Sequence, residues 1–280
     1  MVEGTGVRCV FCETTTGKRS GEHLLRRWFN GRIVDIGRGV IRRQIEPGRD
    51  DVFTTMKISP FDVPINDVCK DCNESWLNAM EGRVGDLIVD LANFDTDTIP
   101  KAAARDLAAW CFKTALVRTC MDRNRGWLAP QQFFAELYAT RDAPVCPARV
   151  RVHVARCEDP SVYPIGRSTV GFLQPVHGGN HGVDDQEQIH LVTFNVGFFS
   201  FLVSMATSAK ADRMVVRGMK GFRQALSGRM ALLWPYEFPG DLVLQVPPLS
   251  AIELRYTSAL IHGLNGNPDP PLTGFAPDDS

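Results

Sequence analysis

The sequence lacks the features of a membrane or secreted protein. Its longest apolar run, residues 191–206, is shorter than the roughly 18 residues of a membrane span, and Asn195, Gly197 and Ser200 interrupt it. The first residues, MVEG, contain no basic segment followed by an apolar one, as a secretory signal would. These two absences predict a cytoplasmic protein with no membrane partner.

The sequence also lacks an excess of charge of either sign. Formal net charge is -1 over 280 residues, so a signal for nucleic acid, where there is one, must be local. No internal repeat is found. Hydrophobic residues make up 44% of the chain and charged residues 22%, as is usual for a soluble globular protein with one or two domains.

Cysteine, in contrast, is present in a pattern. Four of the eight cysteines form two CxxC pairs, Cys9 with Cys12 and Cys69 with Cys72, whereas the other four are scattered among apolar residues and are expected to be buried thiols (Cys111, Cys120, Cys146 and Cys157). In a reducing compartment, paired CxxC turns usually bind zinc rather than form disulfides. The spacing predicts one structural Zn²⁺ that joins the ends of residues 21–68.

Two further features accompany the pairs. Glu22 and His23 follow the first pair by ten residues, and Asn73 directly follows the second pair, at the start of a predicted helix. The order CxxC, acid-His, CxxC-Asn resembles the HNH endonuclease family, the ββα-metal nucleases. The resemblance covers roughly Cys9 to Ala92, about a third of the chain.

The resemblance implies a role for each matching residue. His23 corresponds to the general base that takes a proton from the attacking water. Glu22 corresponds to the ligand of a catalytic divalent ion, Mg²⁺ or Mn²⁺, and Asn73 to a second ligand of that ion from the helix. Such an ion would stabilise the leaving 3′-oxygen of a phosphodiester.

Basic residues are concentrated in the same part of the chain. Between Lys18 and Arg49 there are nine basic residues and three acidic ones. Because phosphate contacts dominate affinity for nucleic acid, five arginines are expected to contact DNA. They are Arg26, Arg27, Arg32, Arg42 and Arg43. A second basic run, residues 210–229, contains Gly218, Gly221 and Gly228 and suggests a flexible loop that grips the DNA backbone.

Local patterns predict the secondary structure. Residues 32–36 and 40–45 are expected to form a hairpin, and residues 73–92 a helix with one apolar stripe. A second helix is expected to end near residue 121. Strands are expected at 149–157, 168–176, 187–194, 198–206 and 231–236. Ser250 and Glu253 have the spacing of a capping box. His177, His181 and His190, with Asp184 and Asp185, are interpreted as a polar loop rather than a metal site.

These patterns together predict an α+β fold. Residues 1–93 are expected to form a zinc-stabilised ββα-metal (HNH) module. Residues 94–263 are expected to form a helical linker and a mixed β-rich C-terminal domain, and residues 264–280 a disordered tail, rich in Pro, Gly, Asn and Asp. The C-terminal domain is open to three roles, namely DNA recognition, homodimer formation or binding of a regulator.

Three functions remain open from the sequence. The first is a metal-dependent DNA endonuclease or nickase of HNH type, which by resemblance would serve phage or bacterial defence, restriction or mobile elements. The second is a non-catalytic zinc-stabilised module with a degenerate HNH fold that binds nucleic acid or protein. It is motivated by Arg26, where the family has proline, and by Glu22, where it has aspartate. The third is a pure protein-interaction module.

Overall fold

A computed structural model describes residues 7–16, 22–34, 39–44, 53–123, 126–162, 166–173 and 187–254. Helices and antiparallel sheets are both present, which confirms the mixed α+β class. The strands are β1 Val7–Arg8, β2 Thr15–Thr16, β3 Glu22–His23, β4 Gly39–Gln44, β5 Phe53–Ile58, β6 Pro64–Ile65, β7 Thr98–Ile99, β8 Val150–Arg156, β9 Arg167–Leu173, β10 Glu187–Val196, β11 Phe199–Ala206, β12 Ala231–Trp234 and β13 Leu242–Val243. The α-helices are α1 Lys70–Cys72, α2 Asn78–Asn93, α3 Lys101–Cys120, α4 Gln131–Ala139 and α5 Ala209–Ala225.

The predicted helix 73–92 is present but is not uniform. A π-helical turn, Asn73–Leu77, joins α1 to α2. The predicted apolar stripe is confirmed, since Met80, Val84 and Ile88 are buried. Phe94 ends the helix in the left-handed conformation, with φ 67°.

Helix α3 lies at the centre of the fold. It is buried along most of its length, including Leu107, Trp110 and Leu116. Its apolar residues pack against α2 on one side and against one face of a five-stranded sheet on the other. A residue distant in sequence caps the start of the helix: Asp241 Oδ1 accepts a hydrogen bond from the Lys101 backbone N–H at 2.9 Å.

The five-stranded sheet has the order β12-β8-β11-β10-β9 and is antiparallel throughout. Gly197 and Phe198 form the tight turn between β10 and β11, which joins two of the predicted strands. Residues alternate between the two faces of each strand. On β8, Val150, Val152 and Val154 belong to the core that contains α3, while α5 packs on the opposite face.

Two sequence-based predictions of local structure are wrong. Within the described residues, 32–34 form a turn rather than a strand, and the predicted second strand, β4, pairs with β5, Gly39 opposite Ile58 and Gln44 opposite Phe53. The basic run 210–229 is not a flexible loop, because most of it is α5, whose Ala211, Val215 and Met219 are buried against the sheet. Helical spacing of these apolar residues outweighs the low helix propensity of two glycines.

One hydrophobic core contains residues from both sides of the predicted domain boundary at residue 93. It runs from Cys9 through α2 and α3 into the sheet. The end of α2 docks directly on the β10–β11 turn, where Phe198 N–H donates to the Ala92 carbonyl at 2.9 Å. The N-terminal region therefore packs on the sheet through its closing helix.

Several predictions lie outside the described residues or at their edge. His177, His181, Asp184, Asp185 and the tail 264–280 are outside them. The capping box is confirmed, because Ser250 Oγ accepts from Glu253 N–H at 3.3 Å and Glu253 Oε2 accepts from Ser250 N–H at 2.8 Å. Among the described helices, none has the length and apolarity needed to cross a membrane.

Substitution of Gly197 tests the docking of α2 on the sheet. Gly197 has φ +55°, and an added Cβ would lie 2.5 Å from the Ala92 carbonyl oxygen. We expect Gly197→Ala to lose about 3 kcal/mol of unfolding free energy, from the left-handed backbone together with the clash. The measurement is chemical denaturation.

Gly31→Ala is the matched control. Gly31 has φ +80° but no atom within 4 Å of an added Cβ. It should lose only the backbone contribution, about 1 kcal/mol. Equal losses in the two variants would contradict the docking of α2 on the turn.

Candidate metal centre

The first CxxC pair lies in the turn between β1 and β2. Cys9 N–H donates to the Thr14 carbonyl at 3.1 Å, and Glu13 N–H donates to the Cys9 carbonyl at 2.9 Å. Glu13 has φ 57°, in the left-handed region. This tight turn brings Cys9 and Cys12 to the same side of the chain.

The second CxxC pair begins a helix. Cys69 is the N-cap of α1, with extended φ −76° and ψ 157°, and its Sγ accepts from the Cys72 N–H at 3.4 Å. A helix N-terminus favours negative charge on a nearby sulfur. The backbone therefore presents two sulfurs together with an N–H group that stabilises a thiolate.

Backbone hydrogen bonds join the two pairs. Val10 N–H donates to the Asp67 carbonyl at 2.9 Å, and Cys69 N–H points to Cys9 Sγ at 3.4 Å. Gln131 Nε2, at the start of α4, donates to the Val10 carbonyl at 2.7 Å. The first turn is thus fixed against both the second pair and the helical core.

The four sulfurs form one compact cluster. The Sγ atoms of Cys9, Cys12, Cys69 and Cys72 all lie within 4.8 Å of one another, and those of Cys12 and Cys69 are 3.7 Å apart. Four sulfurs at about 2.3 Å from a tetrahedral Zn²⁺ would be about 3.8 Å apart. The donor set and spacing fit a structural zinc site.

The predicted assignment of the eight cysteines is consistent with this geometry. All eight are free thiols, and Cys111, Cys120, Cys146 and Cys157 are buried and do not belong to the cluster. Burial raises the pKa of Cys157 to about 12 and also raises those of the other three. These four thiols stay protonated and behave as apolar core groups.

Charge within the cluster is unevenly shared. The side-chain hydrogen bond with Cys72 lowers the pKa of Cys9 to about 4, and the same bond, with burial, raises the pKa of Cys72. Burial raises the pKa of Cys69 to about 11. One thiolate is therefore held by neighbouring thiols, and a bound Zn²⁺ would displace the remaining protons.

His23 lies on β3, which pairs with β6. Its partner in the register is Pro64, and the next residue, Leu24, donates from its N–H to the Val63 carbonyl at 3.0 Å. The imidazole is half-buried. Burial lowers its pKa, the nearby Arg27 acts in the same direction, and Asp62 opposes them.

Asp62 is the residue near His23 that sequence reasoning missed. It ends the short 3-10 helix Pro60–Asp62 just before β6, and its side chain is exposed. The pairing of β3 with β6 brings it close to His23 from about 40 residues along the chain. No local pattern predicts that pairing.

Asn73 is buried and already has a partner. Its Oδ1 and its backbone carbonyl both accept hydrogen bonds from Arg26 Nη2, at 2.5 Å each. A guanidinium, rather than a divalent cation, lies on the amide oxygen. In this arrangement Asn73 does not fit the role of a metal ligand.

Arg26 is also paired with a buried carboxylate. Its Nε lies 2.5 Å from Glu81 Oε2, and Lys113 Nζ donates to Glu81 Oε1 at 2.5 Å. Glu81 and Lys113 are each 1% exposed. A buried charge of this kind is tolerated only with close partners. Arg26, predicted to contact DNA, therefore has its charge directed into the protein.

Two of the other predicted DNA contacts lie at the surface. Arg27 and Arg32 are exposed; Arg32 donates to Asp86 at 2.7 Å and lies 5.1 Å from the centre of the Trp28 ring. For Arg42 and Arg43 the structure gives the backbone register, opposite Thr55 and Thr54. Glu22 likewise is defined by its backbone pairing with Ile65.

Removal of one sulfur tests the metal site. We expect the purified protein to contain one zinc per chain, and Cys72→Ser to lose it, because a tetrahedral site needs all four ligands. Thermal unfolding should shift strongly to lower temperature, since zinc binding is linked to folding. The measurements are elemental analysis and a thermal scan with and without a chelator.

Cys157→Ser serves as the control for loss of a buried thiol. Cys157 is not one of the four clustered cysteines and lies in the second hydrophobic core, against α5, so this variant should keep its zinc. Wild-type protein without zinc, or Cys72→Ser with a full complement of zinc, would contradict the four-cysteine site.

Comparisons with known proteins add no relative. No family model, curated protein or solved structure matches the chain. A functional interpretation therefore depends on the cysteine cluster, on His23 and on the residues around them.

Proposed function

We propose that this protein is a zinc-stabilised nuclease of HNH type that hydrolyses phosphodiester bonds in DNA. The observation that supports the proposal is the four-cysteine cluster, which fits zinc and joins the two ends of the segment carrying His23. The bond from Arg26 to Asn73 further links the residues after His23 to the start of the helix. The order of these parts is that of the HNH pattern.

In the proposed reaction His23 is the general base. Its imidazole takes a proton from a water molecule, the water oxygen forms a bond to phosphorus, and the bond from phosphorus to the 3′-oxygen breaks. Half-burial on β3 restricts the ring while leaving one side accessible. Arg27 is exposed nearby and supplies positive charge for the phosphate.

The proposed cleavage requires a divalent ion, and the experiment below tests that requirement. Asn73 does not fit as its ligand, because Arg26 occupies Oδ1. Mg²⁺ or Mn²⁺, when bound, would stabilise negative charge on the leaving oxygen. Glu22 remains its proposed carboxylate ligand on the strength of the sequence pattern.

Cleavage by a His23 variant tests the proposed base. We expect wild-type protein to nick or cut plasmid DNA in Mg²⁺ or Mn²⁺, and His23→Ala to lose about 100-fold or more in rate, as is typical for loss of a general base. The measurement is gel electrophoresis of supercoiled DNA over time. Zinc content, measured on the same sample, should be unchanged.

Asn73→Ala is an informative companion variant. If Asn73 is only a partner of Arg26, cleavage should stay within about tenfold of wild type, since no metal ligand is lost. Cleavage by His23→Ala at the wild-type rate would remove His23 from the mechanism, whatever the result for Asn73.

A second candidate function is non-catalytic binding of nucleic acid. The position of Arg26 favours it, because a guanidinium paired with Glu81 and Asn73 takes the place where the family would bind a cation. In this case the zinc cluster would only present exposed arginines to the phosphate backbone. Arg27 and Arg32 are the described residues suited to that role.

The salt dependence of binding tests the second candidate. Arg27→Ala should weaken DNA binding for all sequences and reduce the slope of log affinity against log salt by about 1. Lys101→Ala, at the start of α3 and outside both basic runs, is the control and should leave the slope unchanged. The measurement is fluorescence anisotropy of labelled DNA at several salt concentrations. Binding without cleavage in any divalent ion would favour this function, and DNA cleavage that depends on His23 would exclude it.

A further inference from the structure

A cleft in the C-terminal half of the chain lies apart from the metal centre. It has a volume of about 570 Å³ and is formed between α5 and the β8–β12 edge of the sheet. Pockets for small molecules typically have 300 to 1,000 Å³, roughly the size of this one. The proposed nuclease chemistry uses none of its residues.

Strand β8 provides the floor of the cleft. Because strand residues alternate, its valines face α3 while Arg151 and His153 face α5. Arg151 forms two parallel hydrogen bonds to Asp212, at 2.9 and 2.8 Å, which fix the start of α5 on the sheet. The two walls of the cleft are therefore held at a set distance.

His153 is a buried polar group without a partner. It is 2% exposed, and its Nδ1 has no hydrogen-bond partner within the described part of the chain. Burial, with the charges of Arg223 and Arg151, lowers its pKa to about 3, so the ring is neutral. A neutral imidazole offers one N–H donor and one acceptor, and leaving Nδ1 unpaired in a protein interior is costly.

Besides Arg151, two cations line the cleft beside this histidine. Lys220 is exposed on α5, and Arg223, one turn further, donates from Nε to the Met230 carbonyl at 3.2 Å. Neither Lys220 nor Arg223 forms an ion pair with a described residue. Arg151 is already paired with Asp212, and the carboxylate among the described lining residues is Glu237.

The remaining walls are apolar. Met219 and Leu232 lie on opposite sides of the cleft, and Val216 is partly exposed at its edge. A ligand that pairs with the two cations and packs against the apolar side chains must carry an anionic group at one end and apolar surface elsewhere. A group that donates hydrogen bonds, such as a hydroxyl, would pair with Glu237.

We propose that this cleft binds a small phosphate monoester whose organic part carries hydroxyl groups. Lys220 and Arg223 bind the phosphate oxygens, and His153 donates a hydrogen bond from its neutral ring. Glu237 accepts from the hydroxyls, and Met219 and Leu232 contact the carbon skeleton. A tetrahedral dianion suits this site because two cations and one neutral imidazole line the same cleft.

Ligand binding is tested directly by calorimetry on the full chain. The probes are ribose 5-phosphate and adenosine monophosphate, with inorganic phosphate and uncharged adenosine as comparisons. We expect both phosphate esters to bind, inorganic phosphate to bind more weakly, and adenosine to show no binding at the same concentration. Binding of adenosine as tight as that of the monophosphate would overturn the proposal.

Two matched variants of α5 locate the site. Lys220→Met removes a charge inside the cleft, whereas Arg217→Met removes an exposed charge from the same helix outside it. We expect Lys220→Met to weaken binding of ribose 5-phosphate about tenfold or more, and Arg217→Met to leave it unchanged, since one charged hydrogen bond is lost only in the first. Equal affinities in the two variants would refute this location.

NMR signals of His153 test the proposal in the wild-type protein, so this test does not depend on the folding of a variant. Long-range ¹H–¹⁵N spectra report the tautomer and hydrogen bonding of each imidazole. We expect the His153 signals to shift on addition of ribose 5-phosphate and to stay unchanged with adenosine.

Failure of every phosphate probe to bind at millimolar concentration would leave no support for a ligand in the cleft. None of these outcomes depends on DNA cleavage, so the test is independent of the proposed nuclease function.

Discussion

Four thiols within 4.8 Å of one another cannot all ionise without a cation between them, and the N-terminal region is built on this constraint. The two CxxC pairs are separated by more than 50 residues that contain β3 to β6. Closing such a segment costs conformational entropy that grows with the logarithm of its length. The short strands β3 and β6, of two residues each, could not offset that cost alone. The sulfur cluster and the buried residues next to His23, Leu24 and Leu25, therefore fix its position together.

A second constraint acts from inside the fold. Glu81 on α2 lies between Lys113 on α3 and Arg26, so one buried carboxylate joins three segments that are distant in sequence. Each partner reduces the cost of burying the other charges, and loss of Glu81 would leave two cations without a counter-charge. The cluster carries one more positive than negative charge, and Asn73 accepts the additional hydrogen bonds of Arg26. These contacts explain how an arginine at position 26 is accommodated without opening the core.

The predictions from sequence succeeded where the pattern is local. Apolar spacing identified α2 and α3, the strands predicted on either side of Gly197 formed the β10–β11 hairpin, and the CxxC pairs came together as expected. The predictions failed where the interacting residues are far apart in sequence. Nothing near β4 indicates β5 as its partner, and nothing near Arg26 indicates Glu81. Lys113 is a charged residue within an apolar helix, and this pattern indicates a buried partner of opposite charge.

Strand β8 connects the two proposed sites. Its valines pack on α3, which carries Lys113 to Glu81 and so to Arg26 and Asn73, while the opposite face carries His153 into the cleft. A continuous series of packed groups thus runs from the cleft to the first turn of the helix. Contact alone does not couple two sites, because coupling requires an element with two arrangements that each site stabilises differently. Arg26 is the best candidate for that element: bound to Asn73 it excludes a cation, and turned towards solvent it would release the amide oxygen. Measuring cleavage by wild-type protein with and without ribose 5-phosphate would therefore separate two independent sites from a regulated nuclease.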